Sequence, residues 1–79
     1  MKLEIITPNQ IYFSGEVSSV TLPGSLGLFT LWDHHAALIS SLTKGKMSYT
    51  IEGKVTQLDI QGGLMEVNKN IVSVCLESL

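Results

Sequence analysis

Turn-forming residues recur along this chain every several positions, and this spacing limits the fold more than any other feature. Most occur as the clusters Pro8-Asn9, Pro23-Gly24, Lys44-Gly45, Glu52-Gly53, Gly62-Gly63 and Asn68-Lys69-Asn70. The segments between them are too short for helices of ordinary length. They are rich in Ile, Val, Leu, Thr and Tyr, which favour strands. The spacing predicts a single all-β domain over residues 1–79, a small β-sandwich or partly closed barrel of about eight strands.

Two neighbouring segments alternate cleanly between apolar and polar residues. Met47, Tyr49 and Ile51 share one phase of the first segment, and Leu58 and Ile60 share one phase of the second. A period of two is typical of strands with one buried face. Because little more than Gly53 separates the segments, we predict a tight hairpin.

Two other segments have less regular patterns. The apolar phase changes between Val17 and Val20, which predicts a β-bulge between them. The segment 71–76 is apolar in both phases, so we expect a strand covered on both sides. Cys75 within it is then a small, unreactive core residue.

The segment that ends at Leu42 permits two structures. Leu31, His35, Leu38 and Leu42 fall at helical spacing, and Asp33 could cap a helix that begins just after it. A strand over residues 36–42 fits the same pattern equally well.

Composition excludes several classes of function. The chain has 44% apolar and 15% charged residues, which favours a subunit that hides part of its surface in a complex. It has five lysines, no arginine and a net charge of -2, so we expect no nucleic-acid partner. A single cysteine excludes an internal disulfide and is typical of a reducing compartment. No apolar stretch has the length of a transmembrane helix, and the first residues lack a signal peptide.

The residues most able to support chemistry are Asp33, His34 and His35. Adjacent histidines do not converge readily on one metal ion, and the chain has no third histidine. No G-x-S-x-G motif is present, and neither a lysine nor a helix start follows Gly62-Gly63 as in a phosphate loop. We therefore predict no catalytic residues, no metal site and no cofactor.

The stretch from Pro23 to His35 carries more apolar side chains than one strand face can bury. Leu26, Leu28 and Trp32 share one phase, and Phe29 and Leu31 share the other. If one set enters the core, the other leaves an exposed apolar patch for a partner. The alternative is a central strand with both faces buried inside the domain.

Several motifs, in this order, resemble one known family. They are "TP" at residues 7–8, "FSGEV" at 13–17, "SVTLPGSLG" at 19–27 and "GGLMEVNKNIVSV" at 62–74. Together they resemble the N-terminal β-sandwich domain of the epsilon subunit of the F-type ATP synthase, over essentially the whole chain. The resemblance implies about ten short strands, so the expectation becomes a β-sandwich of eight to ten. It also favours a strand over a helix before Leu42.

The resemblance also implies a function and partners. The domain would be a non-catalytic rotor subunit of the central stalk, bound to the gamma subunit and resting on the c-ring, and it would couple proton translocation to ATP synthesis. The ring contact maps to Gly24, Ser25, Leu26, Gly27 and Leu28, and the gamma contact to His35, Ala36 and Leu38.

The sequence departs from the family pattern at several positions. Asp33, His34 and Ala37 stand where the family commonly has Pro, Gly and Pro. Leu28 stands near a position where the family often has a carboxylate, so we expect an apolar or backbone contact with the ring rather than a salt bridge.

The chain ends at Leu79, where many family members continue into a helical hairpin that binds ATP and inhibits the catalytic head. We expect the coupling role without that inhibition, and no nucleotide binding. The resemblance places the protein at the cytoplasmic face of the bacterial inner membrane, as a peripheral subunit. Two alternatives remain, a generic β-sandwich adaptor with an apolar contact patch and a small metal-dependent enzyme centred on Asp33, His34 and His35.

Overall fold

The computed structural model describes residues 1–78 and contains nine strands, with no helix in that range. In chain order the strands are β1 (Lys2–Thr7), β2 (Gln10–Glu16), β3 (Ser19–Gly24), β4 (Gly27–Trp32), β5 (Leu38–Leu42), β6 (Gly45–Ile51), β7 (Lys54–Ile60), β8 (Gly63–Asn68) and β9 (Ile71–Leu76). The predicted all-β class and the range of eight to ten strands are confirmed. With no helix in residues 1–78, that part of the chain has no helical membrane span.

The strands form one curled sheet with two halves. One half has the order β2-β1-β9-β8-β5, and the other is β4-β3-β6-β7. The halves meet where Gly24 of β3 pairs with Leu42 of β5. Every neighbouring pair is antiparallel except β1 and β9, which are parallel. A curled sheet of this kind brings its two inner faces together around one core.

The core consists of the inward-facing apolar side chains of both halves. Fully buried members come from seven of the nine strands, so nearly the whole sheet contributes inward-facing residues to the core. The largest are Leu3, Ile5, Val20, Leu22, Leu31, Met47, Ile60, Met65, Val67, Val72 and Val74.

The β6–β7 hairpin has the predicted structure. Met47 and Tyr49 are buried from β6, and Ile60 is buried from β7. The two-residue turn consists of Glu52 at φ 49° and Gly53 at φ 80°. Positive φ at both central residues is the geometry of a type I′ turn, which matches the twist of the two strands.

The predicted bulge between Val17 and Val20 is wrong, because the chain changes sheet halves there. β2 ends at Glu16, and β3 begins at Ser19. The Val17 N–H donates to the Met1 carbonyl oxygen at 2.9 Å, and the Ser18 N–H donates to the Thr50 carbonyl oxygen at 2.8 Å. A break between two strands shifts the apolar phase just as a bulge within one strand does.

The register irregularity of β2 lies earlier in the chain. Ile5 of β1 pairs with Phe13, but Ile6 pairs with Ile11, so Tyr12 has no direct partner in β1. The extra residue explains why Ile11 is exposed while Phe13 packs against the core, although both occupy odd positions.

The prediction that β9 is covered on both sides is also wrong, and Cys75 is exposed rather than a core residue. Val72, Val74 and Leu76 point into the core, so β9 has one buried face. Cys75 lies on the outer face, directly between its register partners Leu64 and Ile6. The outer face itself carries apolar residues here, Ile71 and Cys75, which is why both phases of the strand contain apolar residues.

The ambiguous segment before Leu42 forms a strand, as the resemblance implied. β5 covers Leu38–Leu42 and pairs along its length with β8, whereas residues 35–37 lie outside any strand. Asp33 caps no helix and instead accepts a hydrogen bond from the amino group of Met1.

Candidate partner-binding groove

A shallow groove of about 470 Å3 lies between the β3–β4 hairpin and strand β5. Its lining is continuous in sequence on each side, with residues 24–29 on one side and residues 38–41 on the other. All ten lining residues are glycine, serine, leucine, isoleucine or phenylalanine, so no charged side chain contributes to it. An uncharged groove of this composition is suited to contact with another protein surface.

Backbone and hydroxyl contacts close one end of the groove. The Thr43 N–H donates to the Pro23 carbonyl oxygen at 2.8 Å, next to the pairing of Gly24 with Leu42. The hydroxyl groups of Ser25 and Ser41 lie 2.7 Å apart. These contacts fix the position of the hairpin turn relative to β5.

Gly24 has no side chain because the ring of Phe29 occupies that space. A Cβ atom built on Gly24 would lie 2.7 Å from an atom of the Phe29 ring. Phe29 pairs with Leu22 across the hairpin and packs against the core. Gly24 therefore allows Phe29 to reach the floor of the groove beside the turn.

The groove is rimmed by exposed apolar side chains. Leu26 at the tip of the turn is fully exposed, Leu28 is 71% exposed and Ile39 on β5 is 64% exposed. Phe29 and Leu31 point inward from the same hairpin. Of the two interpretations of the stretch after Pro23, the structure therefore favours the exposed apolar patch over a strand buried on both faces.

The structure brings together only part of the predicted contact residues. Gly24, Ser25, Leu26, Gly27 and Leu28, which were assigned to the ring, all line the groove. Leu38, assigned to gamma, lines the same groove, whereas His35 and Ala36 do not. Whether these residues contact a partner stays a prediction.

Four further residues line the groove and were not assigned to a contact surface in the sequence. They are Phe29, Ile39, Ser40 and Ser41. The apolar phase of the hairpin grouped Phe29 with Leu31 and left open whether that set enters the core. For β5, the sequence offered no sign that its residues lie opposite a turn more than ten positions earlier.

His35 and Ala36 lie in the connection between β4 and β5. The Nδ1 atom of His35 lies 2.8 Å from the Ala36 carbonyl oxygen. His34 adopts a positive φ of 63°, and its backbone N–H donates to the Asn70 side-chain oxygen at 2.8 Å. Asn70 thus anchors the connection that precedes β5.

No metal centre is formed around Asp33 and the two histidines. Over residues 1–78, no three His, Cys, Asp or Glu side chains lie close enough to share a metal ion. Asp33 is paired with the amino group of Met1, and the His35 ring faces its neighbouring carbonyl group. The geometry gives no support to the metal-enzyme alternative.

Comparison with known proteins decides the family. A family model described as the ATP synthase Delta/Epsilon chain β-sandwich domain matches residues 1–79. The chain belongs to this family. The resemblance to epsilon subunits that the motifs carried is confirmed.

Individual relatives agree with the family model. The ATP synthase epsilon chain of Chlorobium limicola is 43% identical over 70 residues, which are 87% of this chain and 80% of that protein. The epsilon chain of Sulfurimonas denitrificans is 41% identical over 78 residues, 98% of this chain and 60% of the relative. In the epsilon chain of Carboxydothermus hydrogenoformans, the match is 39% identical and covers 94% of this chain but 55% of that protein. The chain thus spans little more than half the length of several relatives.

Solved structures share the fold. A chain in the mitochondrial ATP synthase of Euglena gracilis, solved as an OSCP/F1/c-ring assembly, superposes with a TM-score of 0.88 at 23% identity, over 94% of this chain and 48% of that chain. A chain in the central stalk and c-ring structure from Tetrahymena thermophila gives a TM-score of 0.84 at 14% identity, over 98% and 63%.

Proposed function

We propose that this domain is a non-catalytic subunit of the ATP synthase rotor that joins the gamma subunit to the c-ring. In that position it helps to couple proton translocation to ATP synthesis. The observation that carries the proposal is the uncharged groove between residues 24–29 and 38–41, in a chain that belongs to the ATP synthase delta/epsilon family. The similar chains from Euglena and Tetrahymena come from assemblies that contain a c-ring.

The curled sheet suits a part that transmits torque. Its core is contributed by both sheet halves, and such closely packed interiors have low compressibility. The β3–β4 turn projects from this rigid body and is held by the hydroxyl contact between Ser25 and Ser41. A turn held in place on a rigid core can press against a neighbouring subunit without being displaced.

The ring contact is assigned to residues 24–28. Leu26 and Leu28 offer exposed apolar surface, and Gly27 adds no side chain. Because no carboxylate lines the groove, the contact with the ring is apolar or mediated by the backbone rather than by a salt bridge.

The gamma contact is assigned to His35, Ala36 and Leu38. His35 and Ala36 lie in the connection that Asn70 anchors, and Leu38 is the first residue of β5. Since Leu38 also lines the groove, the surfaces for the two partners adjoin at the start of β5.

The remaining properties follow from the same proposal. The domain contributes no catalytic residue and binds no cofactor, and the subunit lies at the cytoplasmic face of the bacterial inner membrane as a peripheral component. The domain itself binds no ATP. A calorimetric titration that shows micromolar affinity for ATP would contradict this.

Affinity purification tests the assembly directly. The chain, tagged at its C-terminus and expressed in its host, is isolated from detergent-solubilised membranes, and its partners are identified by mass spectrometry. We expect gamma and c subunits in stoichiometric amounts. Recovery of the chain with an unrelated protein, or alone from the cytosol, would favour the adaptor alternative and overturn the rotor assignment.

A further inference from the structure

The amino group of Met1 lies at the end of the sheet opposite the β3–β4 turn, where it meets the backbone of Val17 and the partly exposed carboxylates of Asp33 and Glu16. It donates to the Asp33 carboxylate at 2.5 Å and to the Val17 carbonyl oxygen at 3.2 Å, and it lies 3.5 Å from the Glu16 carboxylate. The Met1 side chain is 1% exposed. An ammonium group has three N–H bonds, and here three separate oxygen atoms lie within reach of them.

The surroundings of this amino group are acidic. It borders a hollow of about 450 Å3, whose other lining residues are Glu16, Val17, Ser18, Asp33, Ile51 and Glu52. Three of these are carboxylates, and none is lysine. The pairing holds the pKa of the amino group above its ordinary value of 8.0, chiefly through the hydrogen bond to Asp33. The site is therefore complementary to a positive charge.

The same contacts connect three parts of the fold. Asp33 belongs to the β4–β5 connection, and Val17 belongs to the crossing from β2 to β3. Asn70 accepts two hydrogen bonds in this region. The His34 N–H donates to its side-chain oxygen, and the Lys2 N–H donates to its backbone carbonyl oxygen. The amino group thus links the start of β1 to the segment that leads into β5.

We propose that these oxygen atoms form a site for a free α-amino group, and that an acyl group on the Met1 nitrogen is incompatible with it. A formyl or acetyl group converts the ammonium into a neutral amide with one N–H bond. That amide can satisfy only one of the acceptors, and it leaves the Asp33 carboxylate without its cation. In a chain that starts at Met1, the acylation state of this nitrogen controls the stability of this end of the sheet. The inference does not depend on the rotor assignment.

The test compares two synthetic forms of the 79-residue chain, one with a free α-amino group and one with an acetylated Met1. Urea unfolding at pH 7 gives the unfolding equilibrium constant of each. We expect acetylation to raise this constant about five- to tenfold, because the charged hydrogen bond between the ammonium group and the Asp33 carboxylate is lost. The difference narrows as the pH rises through the raised pKa of the amino group, because the free amino group loses its charge there.

The Asp33→Asn variant is the control. It removes the principal anionic partner and keeps the size of the side chain, so acetylation should change its unfolding constant by less than about twofold. Equal constants for the two wild-type forms at pH 7 would overturn the proposal. An equal acetylation effect in wild type and D33N would also overturn it, since the effect would then be steric.

A titration of the free amino group gives an independent readout. The pKa of the Met1 amino group, measured by NMR, should lie above 8.0 in the wild-type chain and fall back towards 8.0 in D33N. A value of 8.0 or lower in the wild-type chain would contradict the proposed site, even if the acetylated chain failed to fold.

Discussion

The hydroxyl groups of Ser25 and Ser41 lie 2.7 Å apart and join the tip of the β3–β4 turn to strand β5. The two residues are separated by sixteen positions in the sequence and belong to different sheet halves. This contact, with the pairing of Gly24 and Leu42, closes the end of the groove. The shape of the proposed contact surface therefore depends on a hydrogen bond between two exposed side chains.

Removal of either hydroxyl should loosen the turn slightly. We expect Ser41→Ala to lower the free energy of unfolding by about 0.5–1 kcal/mol, the usual net value of one neutral hydrogen bond. Because the partners are lost together, Ser25→Ala combined with Ser41→Ala should cost little more than either change alone. Urea denaturation measures all three variants. If the losses in the free energy of unfolding were fully additive, the two hydroxyl groups would contribute to stability separately.

Leu28 should contribute to assembly and not to stability. Its side chain is 71% exposed at the rim of the groove, so Leu28→Ser should change the free energy of unfolding by less than about 0.5 kcal/mol. We expect the variant to recover less c subunit in the affinity purification. Val55→Ser is the matched control, since Val55 is 58% exposed on β7 and lies outside the groove. If the two variants recovered equal amounts of c subunit, the assignment of Leu28 to the ring contact would be contradicted.

Leu28 is a better test of the ring contact than Gly27. A Cβ atom on Gly27 would meet nothing within 4 Å, but the residue has a φ of 123°, which residues with a side chain rarely adopt. A charged residue at this position would therefore combine backbone strain with any effect on the ring. Loss of assembly by such a variant would not separate contact from folding.

Gly63 should tolerate substitution less well than Gly24. A Cβ atom on Gly63 would lie 2.2 Å from the Cys75 carbonyl oxygen, which is part of the paired backbone of β9. On Gly24 the obstacle is the Phe29 ring, a side chain that can rotate. We expect Gly24→Ala to cost about 1–3 kcal/mol, and Gly63→Ala to cost more or to prevent folding. Thermal unfolding followed by circular dichroism ranks the two; the reverse order would contradict the packing described for β9.

Substitution of Cys75 should have little effect. Because the thiol lies on the outer face, Cys75→Ser should change the free energy of unfolding by less than about 0.5 kcal/mol. Val74→Ala, one position earlier and fully buried, should cost about 1–3 kcal/mol. The folded wild-type chain should also react completely with a thiol reagent under native conditions. A protected thiol would show that the outer face of β9 is covered.

Cys75 also shows where sequence reasoning reaches its limit. The alternation of Met47, Tyr49 and Ile51 predicted their inward face correctly, because polar residues occupied the other phase. In β9 the outward positions include Ile71 and Cys75, so apolar residues occupy both phases and the pattern cannot tell core from surface. Only the pairing of Cys75 with Leu64 and Ile6 reveals that apolar side chains cross the outer face.

The groove could be predicted in part. The apolar residues in both phases after Pro23 indicated that one set would be exposed, without deciding which, and the motifs assigned the turn to a partner; the structure shows that Leu26 and Leu28 are the exposed set. The opposite side of the groove, formed by residues 38–41, depends on how the sheet curls. That curl is set by a contact between Gly24 and Leu42 over eighteen positions, which no local pattern contains. Local periodicity determines which residues face outward, and long-range pairing determines which of them become neighbours.

The pairing of Asp33 with Met1 should make stability depend on pH in two separate windows. The hydrogen bond from the Met1 ammonium holds the pKa of Asp33 below its ordinary value of 3.8, so its contribution is present above 3.8 and is lost as the pH falls through the lowered value. The pKa of the amino group is raised above 8.0, so its contribution is present below 8.0 and is lost as the pH rises through the raised value.

The melting temperature of the wild-type chain should therefore exceed that of Asp33→Asn by the largest amount between about pH 4 and pH 8. The difference should shrink on both sides of that range, because one member of the ion pair loses its charge on each side. Thermal unfolding from about pH 2.5 to pH 9.5 measures it. The upper limit stays below the titration of Tyr49, whose pKa is raised from 10.0 by burial. A difference that stayed constant across this range would show that Asp33 acts through packing and not through its charge.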